Sequence, residues 1–380
     1  MEILYAKWLF DGKKLLNGVG CVISNDAVVD LLPINIAKKT YPEATVKDYG
    51  EGVLFSGFVN AHTHIELSDI KIEPYLGFVK WLEMIIETKS QVRETHTDEV
   101  IKKAINTLIE SGVCAVADVS NTLKSCSYLK KIPRPIVFFE NYSLRKKQAQ
   151  EKIAYIEDNI DNIKQTCKVK IYVTAHSVYS THEDLLAYTM LKSNPKLAYD
   201  LFSFHFLESE FENMFVNSRG GLFEMLSNKG LIENQLHFSS ALEYIKSLGN
   251  IKKGLFVHCV HIKPDEIEYL KSIGASIVIA PRSNYYISKS MSNLELLKNS
   301  GINVAIGTDS LASNWDLSII NELKFLYKYY SHIDPVYFFE IATTGGYRAL
   351  NLNIGFKKGF YAYPFFMKTT TNAPLEEILQ

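Results

Sequence analysis

The chain has 380 residues, 47% of them hydrophobic, and a formal net charge of -1, from 41 Lys and Arg against 42 Asp and Glu. A chain of this size buries a large core, either as one α/β domain or as two smaller ones. Its balanced charge, without a basic block, excludes the electrostatic pattern of a nucleic-acid-binding surface, so we expect a small-molecule ligand.

Membrane insertion, export and disulfide bonding are not expected from this sequence. No apolar run approaches the roughly 20 residues of a membrane span, and the first residues lack a charged-then-apolar export pattern, so we expect a cytoplasmic protein. The five cysteines are scattered and none forms a Cys-x-x-Cys pair. This spacing argues against a disulfide framework and a thiolate zinc site, so histidine and carboxylate side chains must bind any metal ion.

The two chain ends are predicted to form strands. In the first fifty residues, short apolar segments such as 19–24 and 27–32 alternate with turn residues, and helical periodicity is absent. At the other end, the aromatic-rich segment 359–366 is a candidate strand that rejoins the N-terminal ones. We therefore predict a small β domain built from residues 1–52 and 351–380.

From residue 53 onward, short apolar runs alternate with longer amphipathic stretches, which indicates βα units around a parallel sheet. The candidate strands are 53–60, 112–119, 135–140, 169–176, 200–206, 254–259, 275–280 and 302–307. The candidate helices include 98–110, 148–165, 240–248, 263–272, 293–299, 317–330 and 335–350. A further helix start is predicted after Ser180, where Ser-x-x-Glu has the form of a capping box.

Eight such units within about 250 residues match a (β/α)8 TIM barrel, and a doubly wound open sheet is the alternative. The positions of polar residues favour the barrel. Six of them lie at or just after predicted strand ends: His62, His64, His176, His205, His258 and Asp309. These ends meet at one mouth in a closed barrel, whereas an open sheet spreads them too widely to share an ion. We therefore predict a catalytic barrel over residues 53–350.

A metal site is predicted at this mouth. His62 and His64 lie two residues apart after an apolar run, and residues i and i+2 of a strand share a face, so both rings can reach one ion. His205 and Asp309 supply donors from strands five and eight. Three histidines and one aspartate suit Zn²⁺, with Fe²⁺ or Mn²⁺ as alternatives. A lone histidine is more often a core or surface residue, so the prediction depends on all four.

Two further residues are candidates for acid–base chemistry. Glu208 lies three residues after His205, where a carboxylate beside a metal-bound water can take its proton and pass it to a substrate nitrogen. His258 ends strand six and is expected to point toward the mouth, where it can hydrogen-bond a hydroxide. The nearby acids Glu210 and Glu212 are assigned no role.

Taken together, these motifs resemble the amidohydrolase superfamily, specifically its mononuclear nucleobase and nucleoside deaminase branch. The matching segments span nearly the whole chain: GFVNAHTH at 57–64, His-x-x-Glu at 205–208, HCVH at 258–261 and GTDSLASN at 307–314. The resemblance implies a barrel with a flanking β-sandwich. It also implies one zinc ion bound by the four predicted ligands, Glu208 as proton shuttle and His258 orienting the attacking hydroxide. Binuclear members carry a carboxylated lysine at the end of strand four, where this chain reads Thr174-Ala175-His176-Ser177.

Within this branch, segments 62–68 and 307–314 look most like the aminofutalosine deaminases. These enzymes convert 6-amino-6-deoxyfutalosine (aminofutalosine) to futalosine and ammonia in menaquinone biosynthesis. A substrate with an adenine, a ribose and a benzoate needs an apolar slot, a hydroxyl acceptor and a cation. The candidates are Phe78, Trp81 and Tyr179 for the slot, Glu83 or Glu87 for the ribose, Arg282 and Arg145 for the carboxylate, and His176 as the strand-four histidine that contacts substrate.

Other functions remain open at this point. The same motifs are compatible with an S-adenosylhomocysteine, methylthioadenosine or adenosine deaminase, with guanine deaminase, and with another amidohydrolase that opens a cyclic amide or acts on a triazine-like ring. A non-enzymatic binding protein on a barrel scaffold is a further alternative. A homo-oligomeric assembly is compatible with each of these functions.

Overall fold

The computed structural model describes residues 1–91 and 98–380. The strands are β1 (Glu2–Tyr5), β2 (Trp8–Phe10), β3 (Leu15–Asn17), β4 (Val19–Ser24), β5 (Ala27–Pro33), β6 (Thr45–Asp48), β7 (Gly52–Phe55), β8 (Phe58–Thr63), β9 (Val113–Ser120), β10 (Arg134–Asn141), β11 (Lys170–Ala175), β12 (Ser203–Phe206), β13 (Leu255–His258), β14 (Ser276–Ile279), β15 (Asn303–Ile306) and β16 (Phe365–Lys368).

The helices are α1 (Ile34–Thr40), α2 (Phe78–Gln91), α3 (Asp98–Glu110), α4 (Cys126–Leu129), α5 (Lys146–Cys167), α6 (Glu183–Met190), α7 (Phe211–Phe215), α8 (Gly220–Asn228), α9 (Ala241–Ser247), α10 (Pro264–Ser272), α11 (Pro281–Ser288), α12 (Leu294–Ser300), α13 (Ile319–Tyr329), α14 (Pro335–Ala342), α15 (Thr344–Ala349) and α16 (Pro374–Leu379), with a 3₁₀ turn at Ile65–Leu67. Among the described helices, none has both the length and the apolar content to cross a bilayer.

Eight parallel strands form the barrel. Strands β8 to β11 make one four-stranded sheet and β12 to β15 make another. Single parallel bridges join the two sheets at both edges, between Ser177 and His205 and between Thr63 and Asp309. The strands therefore follow one another around a closed ring. This confirms the predicted (β/α)8 fold and excludes the open sheet.

The predicted first strand, residues 53–60, is wrong as a single element. The chain bends at Ser56 and Gly57, so that β7 joins an outer sheet and only β8 enters the barrel. Gly57 has a φ of +97°, and a Cβ atom there would lie 2.6 Å from Cys114 Sγ. Only glycine fits this backbone conformation and this close approach. Strand β8 then continues to Thr63, which places His62 within the strand.

Three helix predictions also need correction. Helix α1 is absent from the predicted elements, because its seven residues are too few to show helical periodicity. The predicted helix 335–350 is divided at Thr343, whose φ and ψ of -125° and -93° are not helical. The capping box at Ser180 does not form: helix α6 starts instead with His182, whose ring nitrogen accepts a hydrogen bond from Asp184 N–H.

Two outer sheets contain residues from the chain ends. One has the strand order β5-β4-β1-β6, and the other has the order β16-β7-β2-β3. In the second sheet β16 runs antiparallel to β7, with Phe365 opposite Phe55. Helix α16 instead packs against α13 and α14, on the outside of the barrel. The division into residues 1–52 and 351–380 against 53–350 stays a prediction.

Candidate active site

The four predicted metal ligands lie close together at the carboxyl ends of the barrel strands. His62 is in β8 and His64 follows it, His205 is in β12, and Asp309 follows β15. The ring centroid of His62 is 4.9 Å from those of His64 and His205. Asp309 Oδ1 lies 3.6 Å from His62 Nε2 and 3.5 Å from His64 Nε2. All four side chains are buried.

The donor atoms of this cluster fit a metal ion. The ligating atoms of His62, His64 and Asp309 lie within 4.8 Å of one another, and so do those of His62, His205 and His258. Among the described residues, both ring nitrogens of His62 and Nε2 of His205 are buried without a hydrogen-bond partner. Leaving such groups unpaired costs about 1–3 kcal/mol each, and a bound cation satisfies their lone pairs.

The electrostatics of the cluster favour the protonation states that metal binding requires. Burial, together with the neighbouring imidazoles, lowers the pKa of His205 well below its usual range. Burial alone would raise the pKa of Asp309, but His62, His64 and His258 hold it well below its usual range. A neutral imidazole and an ionised carboxylate are the forms that bind metals.

Asp309 is oriented by two hydroxyl groups to which the sequence analysis assigned no role. Ser283 Oγ donates to Asp309 Oδ2 at 2.7 Å, and Ser313 Oγ donates to the same oxygen at 2.8 Å. These bonds leave Oδ1 facing the histidines. The φ of Asp309 is +57°, an uncommon value outside glycine, and Thr63 Oγ1 holds this turn by donating to the Asp309 carbonyl at 2.9 Å.

The predicted proton shuttle Glu208 lies beside the histidine cluster. Its Oε2 is 3.6 Å from His205 Nδ1, 3.7 Å from His258 Nε2 and 3.5 Å from the hydroxyl of Tyr179. Burial, followed by the charges of Asp309 and Glu212, raises the pKa of the Glu208 carboxyl well above its usual range. This environment favours a carboxyl group that holds a proton and can donate it.

Glu212, to which the sequence assigned no role, shapes the loop that carries Glu208. Its buried carboxylate accepts hydrogen bonds from the N–H groups of Leu207 and Glu208 at 2.9 and 2.7 Å. Leu207 has a φ of +50°, so these bonds hold a turn that an isolated chain would seldom adopt. The Ser-x-x-Glu spacing from Ser209 to Glu212 is the signal that could have identified this residue.

His258 points toward the cluster from the end of β13. Its Nε2 lies 3.2 Å from His205 Nδ1, and its Nδ1 lies 3.1 Å from the side-chain amide of Asn284. Burial lowers the pKa of His258 to about 3, although the charge of Asp309 opposes this shift. A neutral ring held at Nδ1 presents Nε2 to the centre of the site.

The predicted aromatic and imidazole contacts lie around this centre. The His176 ring centroid is 4.3 Å from that of His205, and its Nδ1 lies 2.8 Å from Ser180 Oγ. The buried Tyr179 ring packs against His176 at 5.6 Å. Trp81 donates its indole N–H to the carbonyl of Ala312 at 3.1 Å, which fixes the ring beside the loop that follows β15.

The side chains predicted to bind the carboxylate and the ribose of the substrate already form hydrogen bonds or ion pairs within the chain. Both terminal nitrogens of Arg282 donate to the carboxylate of Asp316, at 2.6 and 3.0 Å. Arg145 is exposed and donates to the carbonyl of Gly230 at 2.8 Å. Glu83 and Glu87 form ion pairs with lysines: Lys80–Glu83 at 2.8 Å, Lys229–Glu83 at 3.5 Å and Lys229–Glu87 at 3.0 Å. Their roles in substrate binding stay predictions.

Comparison with known proteins identifies the family. Residues 53–379 match the amidohydrolase family profile. The chain belongs to the amidohydrolase family, and it is a hydrolytic enzyme. It is 31% identical over 318 residues to an adenosine deaminase of Helicobacter pylori, covering 80% of this chain and 75% of that protein. It is 30% identical over 303 residues to an aminodeoxyfutalosine deaminase of a Nitratiruptor species, covering 76% and 71% of the two chains.

A solved structure extends this similarity to the whole fold. The aminofutalosine deaminase of Helicobacter pylori, in complex with methylthio-coformycin, superposes on this amidohydrolase with a TM-score of 0.88 and 26% identity. The superposition covers 100% of this chain and 96% of the other. Because the overlap extends outside the barrel, this amidohydrolase and its relative also share the outer sheets.

Proposed function

We propose that this amidohydrolase is a metal-dependent deaminase of adenine nucleosides and that its substrate is aminofutalosine, which it converts to futalosine and ammonia. The observation that carries the proposal is the convergence of His62, His64, His205 and Asp309 beside the buried carboxyl group of Glu208. The similarity to two deaminases, one of them named for aminodeoxyfutalosine, supports the choice of reaction.

We assign one zinc ion to the four predicted ligands, although the same nitrogen and oxygen donors accept Fe²⁺ or Mn²⁺. When bound there, a divalent ion would lower the pKa of a water molecule to about 7, so that hydroxide would be available at neutral pH. Asp309 and His258 orient the attacking oxygen. Glu208 would take one proton from the water and deliver it to the ring nitrogen next to the carbon that bears the amino group, as the oxygen bonds to that carbon. It would then move the remaining proton of that oxygen to the amino group, so that the C–N bond breaks, ammonia leaves and a carbonyl group remains.

The rest of the site accommodates a flat, mostly apolar ring. Trp81, in helix α2, and Tyr179, in the segment that follows β11, are buried aromatic side chains, and His176 lies between Tyr179 and His205. Such a slot excludes water around the reacting carbon and stacks a purine.

A second candidate substrate class is adenosine with a small thioether on the sugar. The related Helicobacter pylori structure contains methylthio-coformycin, a thioether-bearing ligand. In addition, Arg282 already binds Asp316, and this pairing leaves less positive charge for a substrate carboxylate. Methylthioadenosine, which has no carboxylate, is therefore the main competitor of aminofutalosine.

Ammonia release by the purified, zinc-loaded protein tests the proposal. The panel consists of aminofutalosine, methylthioadenosine, S-adenosylhomocysteine, adenosine and guanine. We expect the highest kcat/KM with aminofutalosine. Higher activity toward methylthioadenosine would favour the second candidate, and activity confined to guanine would reject an adenine nucleoside.

Replacing Glu208 separates proton transfer from metal binding. We expect Glu208→Gln to retain zinc and to lose about 10²–10⁴-fold in kcat, because an amide cannot carry the proton. Zinc content and turnover would be measured on the same preparation. Glu210→Gln is the matched control, and we expect it to behave as the wild type. An active Glu208→Gln variant would contradict the assignment.

A further inference from the structure

Asn284, to which the sequence analysis assigned no role, lies in the first half of α11 beside His258. Helix α11 follows β14 and begins at Pro281, where a missing N–H costs no helix hydrogen bond. The side chain of Asn284 is buried, and its amide nitrogen Nδ2 lies 3.1 Å from Nδ1 of His258. This contact joins α11 to the histidine that faces the centre of the site from β13.

Two hydrogen bonds to other elements fix the turn that carries Asn284. The backbone N–H of Arg282 donates to Oε2 of Glu322, in α13, at 3.0 Å. The next residue, Ser283, donates its hydroxyl to Asp309 Oδ2 at 2.7 Å. Because the turn is held both from α13 and from the loop after β15, the amide of Asn284 has little freedom to move away from His258.

The backbone of His258 is fixed as well. Its φ of +72° is an uncommon value outside glycine. Two hydrogen bonds hold this conformation: Ser292 Oγ donates to the His258 carbonyl, and the N–H of Cys259 donates to the carbonyl of Phe206 at 2.9 Å. The imidazole ring is therefore held between the amide of Asn284 on one side and the centre of the site on the other.

The donor in the contact with Asn284 determines which nitrogen of His258 carries hydrogen. An amide nitrogen donates and does not accept, whereas an imidazole nitrogen accepts only when it carries no hydrogen. Nδ1 of His258 must therefore have a free lone pair, and the ring N–H must be on Nε2. Nε2 lies 3.2 Å from His205 Nδ1 and 3.7 Å from Glu208 Oε2, so this N–H faces the metal-ligating cluster.

We propose that Asn284 is a positioning residue that fixes His258 in the tautomer with hydrogen on Nε2, so that His258 donates a hydrogen bond to the attacking oxygen. The inference rests on the proposed function and defines the role of His258 within it. A donor at this place holds the oxygen by a lone pair and leaves proton removal to Glu208. With hydrogen on Nδ1 instead, Nε2 would be an acceptor and would compete with Glu208 for the proton of the water.

The tautomer can be measured directly by ¹⁵N NMR of the zinc-loaded protein with labelled histidines, because ring nitrogens with and without hydrogen differ strongly in chemical shift. The signals of His258 are identified by their loss in His258→Asn. We expect hydrogen on Nε2 in the wild type. In Asn284→Asp we expect hydrogen on Nδ1, because a carboxylate accepts and cannot donate, and the nearby cation disfavours a second hydrogen on the ring. Hydrogen on Nδ1 in the wild type would overturn the inference.

Turnover tests what the tautomer does. For Asn284→Asp we expect kcat with aminofutalosine to fall about 10²–10³-fold, the loss typical of one hydrogen-bond donor to a reacting oxygen, with KM and zinc content close to the wild-type values. Asn284→Leu holds the ring in neither tautomer and should lose less. Asn293→Asp is the matched control. The exposed Asn293 caps α12 by accepting from Leu296 N–H, which a carboxylate also does, so we expect wild-type kinetics.

A changed tautomer with wild-type kcat would overturn the inference while leaving the deaminase proposal intact. Loss of zinc or of Tm in both Asn284 variants, with hydrogen still on Nε2, would do the same, because Asn284 would then have a structural role only. If Asn284→Asp does not fold, the wild-type spectrum and Asn284→Leu decide. Wild-type protein that releases ammonia from none of the nucleosides would instead overturn the proposed function, and the donor role of His258 with it.

Discussion

At the scale of single residues, the site depends on groups that orient the predicted ligands. Ser283 and Ser313 both donate to Oδ2 of Asp309, and this pair of bonds turns Oδ1 toward His62 and His64. Without the two hydroxyls, the carboxylate is free to rotate away from the histidines. Partners that orient a ligand in this way typically change metal affinity by 10–100-fold when removed.

We therefore expect the double variant Ser283→Ala/Ser313→Ala to bind zinc about 10–100-fold more weakly than the wild type, as measured by competition with a chelator. At saturating zinc, most of the activity should return. Ser310→Ala is the matched control, because Ser310 Oγ lies 3.4 Å from Ser313 Oγ and has no hydrogen bond to Asp309 among the described contacts. Equal zinc affinity in the double variant and the control would contradict the role of the two hydroxyls.

At the scale of elements, Gly57 separates the outer strand β7 from the barrel strand β8. Gly57→Ala combines a left-handed φ with a Cβ contact of 2.6 Å to Cys114 Sγ. Gly18→Ala is the matched control: Gly18 has a φ of +68°, and beyond its chain neighbours a Cβ atom there would meet no described residue within 4 Å. In urea denaturation, we expect a loss of about 1 kcal/mol for Gly18→Ala and about 3 kcal/mol or more for Gly57→Ala. Similar losses would show that the strained φ, rather than the close approach, is what requires glycine.

The elements also show which features the sequence could reveal. The buried strands could be predicted because short apolar runs alternate with amphipathic stretches along the chain. The shared face of His62 and His64 could be predicted because residues two apart in a strand point to the same side. The bend at Gly57 could not, because the strands that β7 pairs with and the Cys114 side chain beside Gly57 are distant from it in sequence. For the same reason, the hydroxyl of Ser283 gave no signal, because only the folded barrel brings it to Asp309. Ser313 is four residues from Asp309 in the GTDSLASN segment, but that spacing alone did not show that its hydroxyl donates to the carboxylate.

At the scale of the whole molecule, the predicted metal site connects opposite sides of the barrel. Its predicted ligands come from β8, β12 and the turn after β15, the first, fifth and eighth strands of the ring. An ion bound by all of them must be released before the ring can open. Metal binding to the native state alone therefore stabilises the whole fold, by about 2.7 kcal/mol when the free ion is at 100 times its Kd.

Removal of the metal is thus expected to lower Tm by about 3 °C, because the entropy of unfolding grows with chain length and 1 kcal/mol shifts the Tm of a 380-residue chain by only about 1 °C. Thermal unfolding would be followed before and after chelation, and again after zinc is restored, which should recover the original Tm. His205→Ala removes the ligand on the far side of the ring, so zinc should shift its Tm much less. His332→Ala, at an exposed histidine far from the cluster in sequence and paired with Glu295, should keep the full shift. A Tm that is the same with and without metal would mean that the ion does not connect the strands, and the assignment of the four ligands would then have to be abandoned.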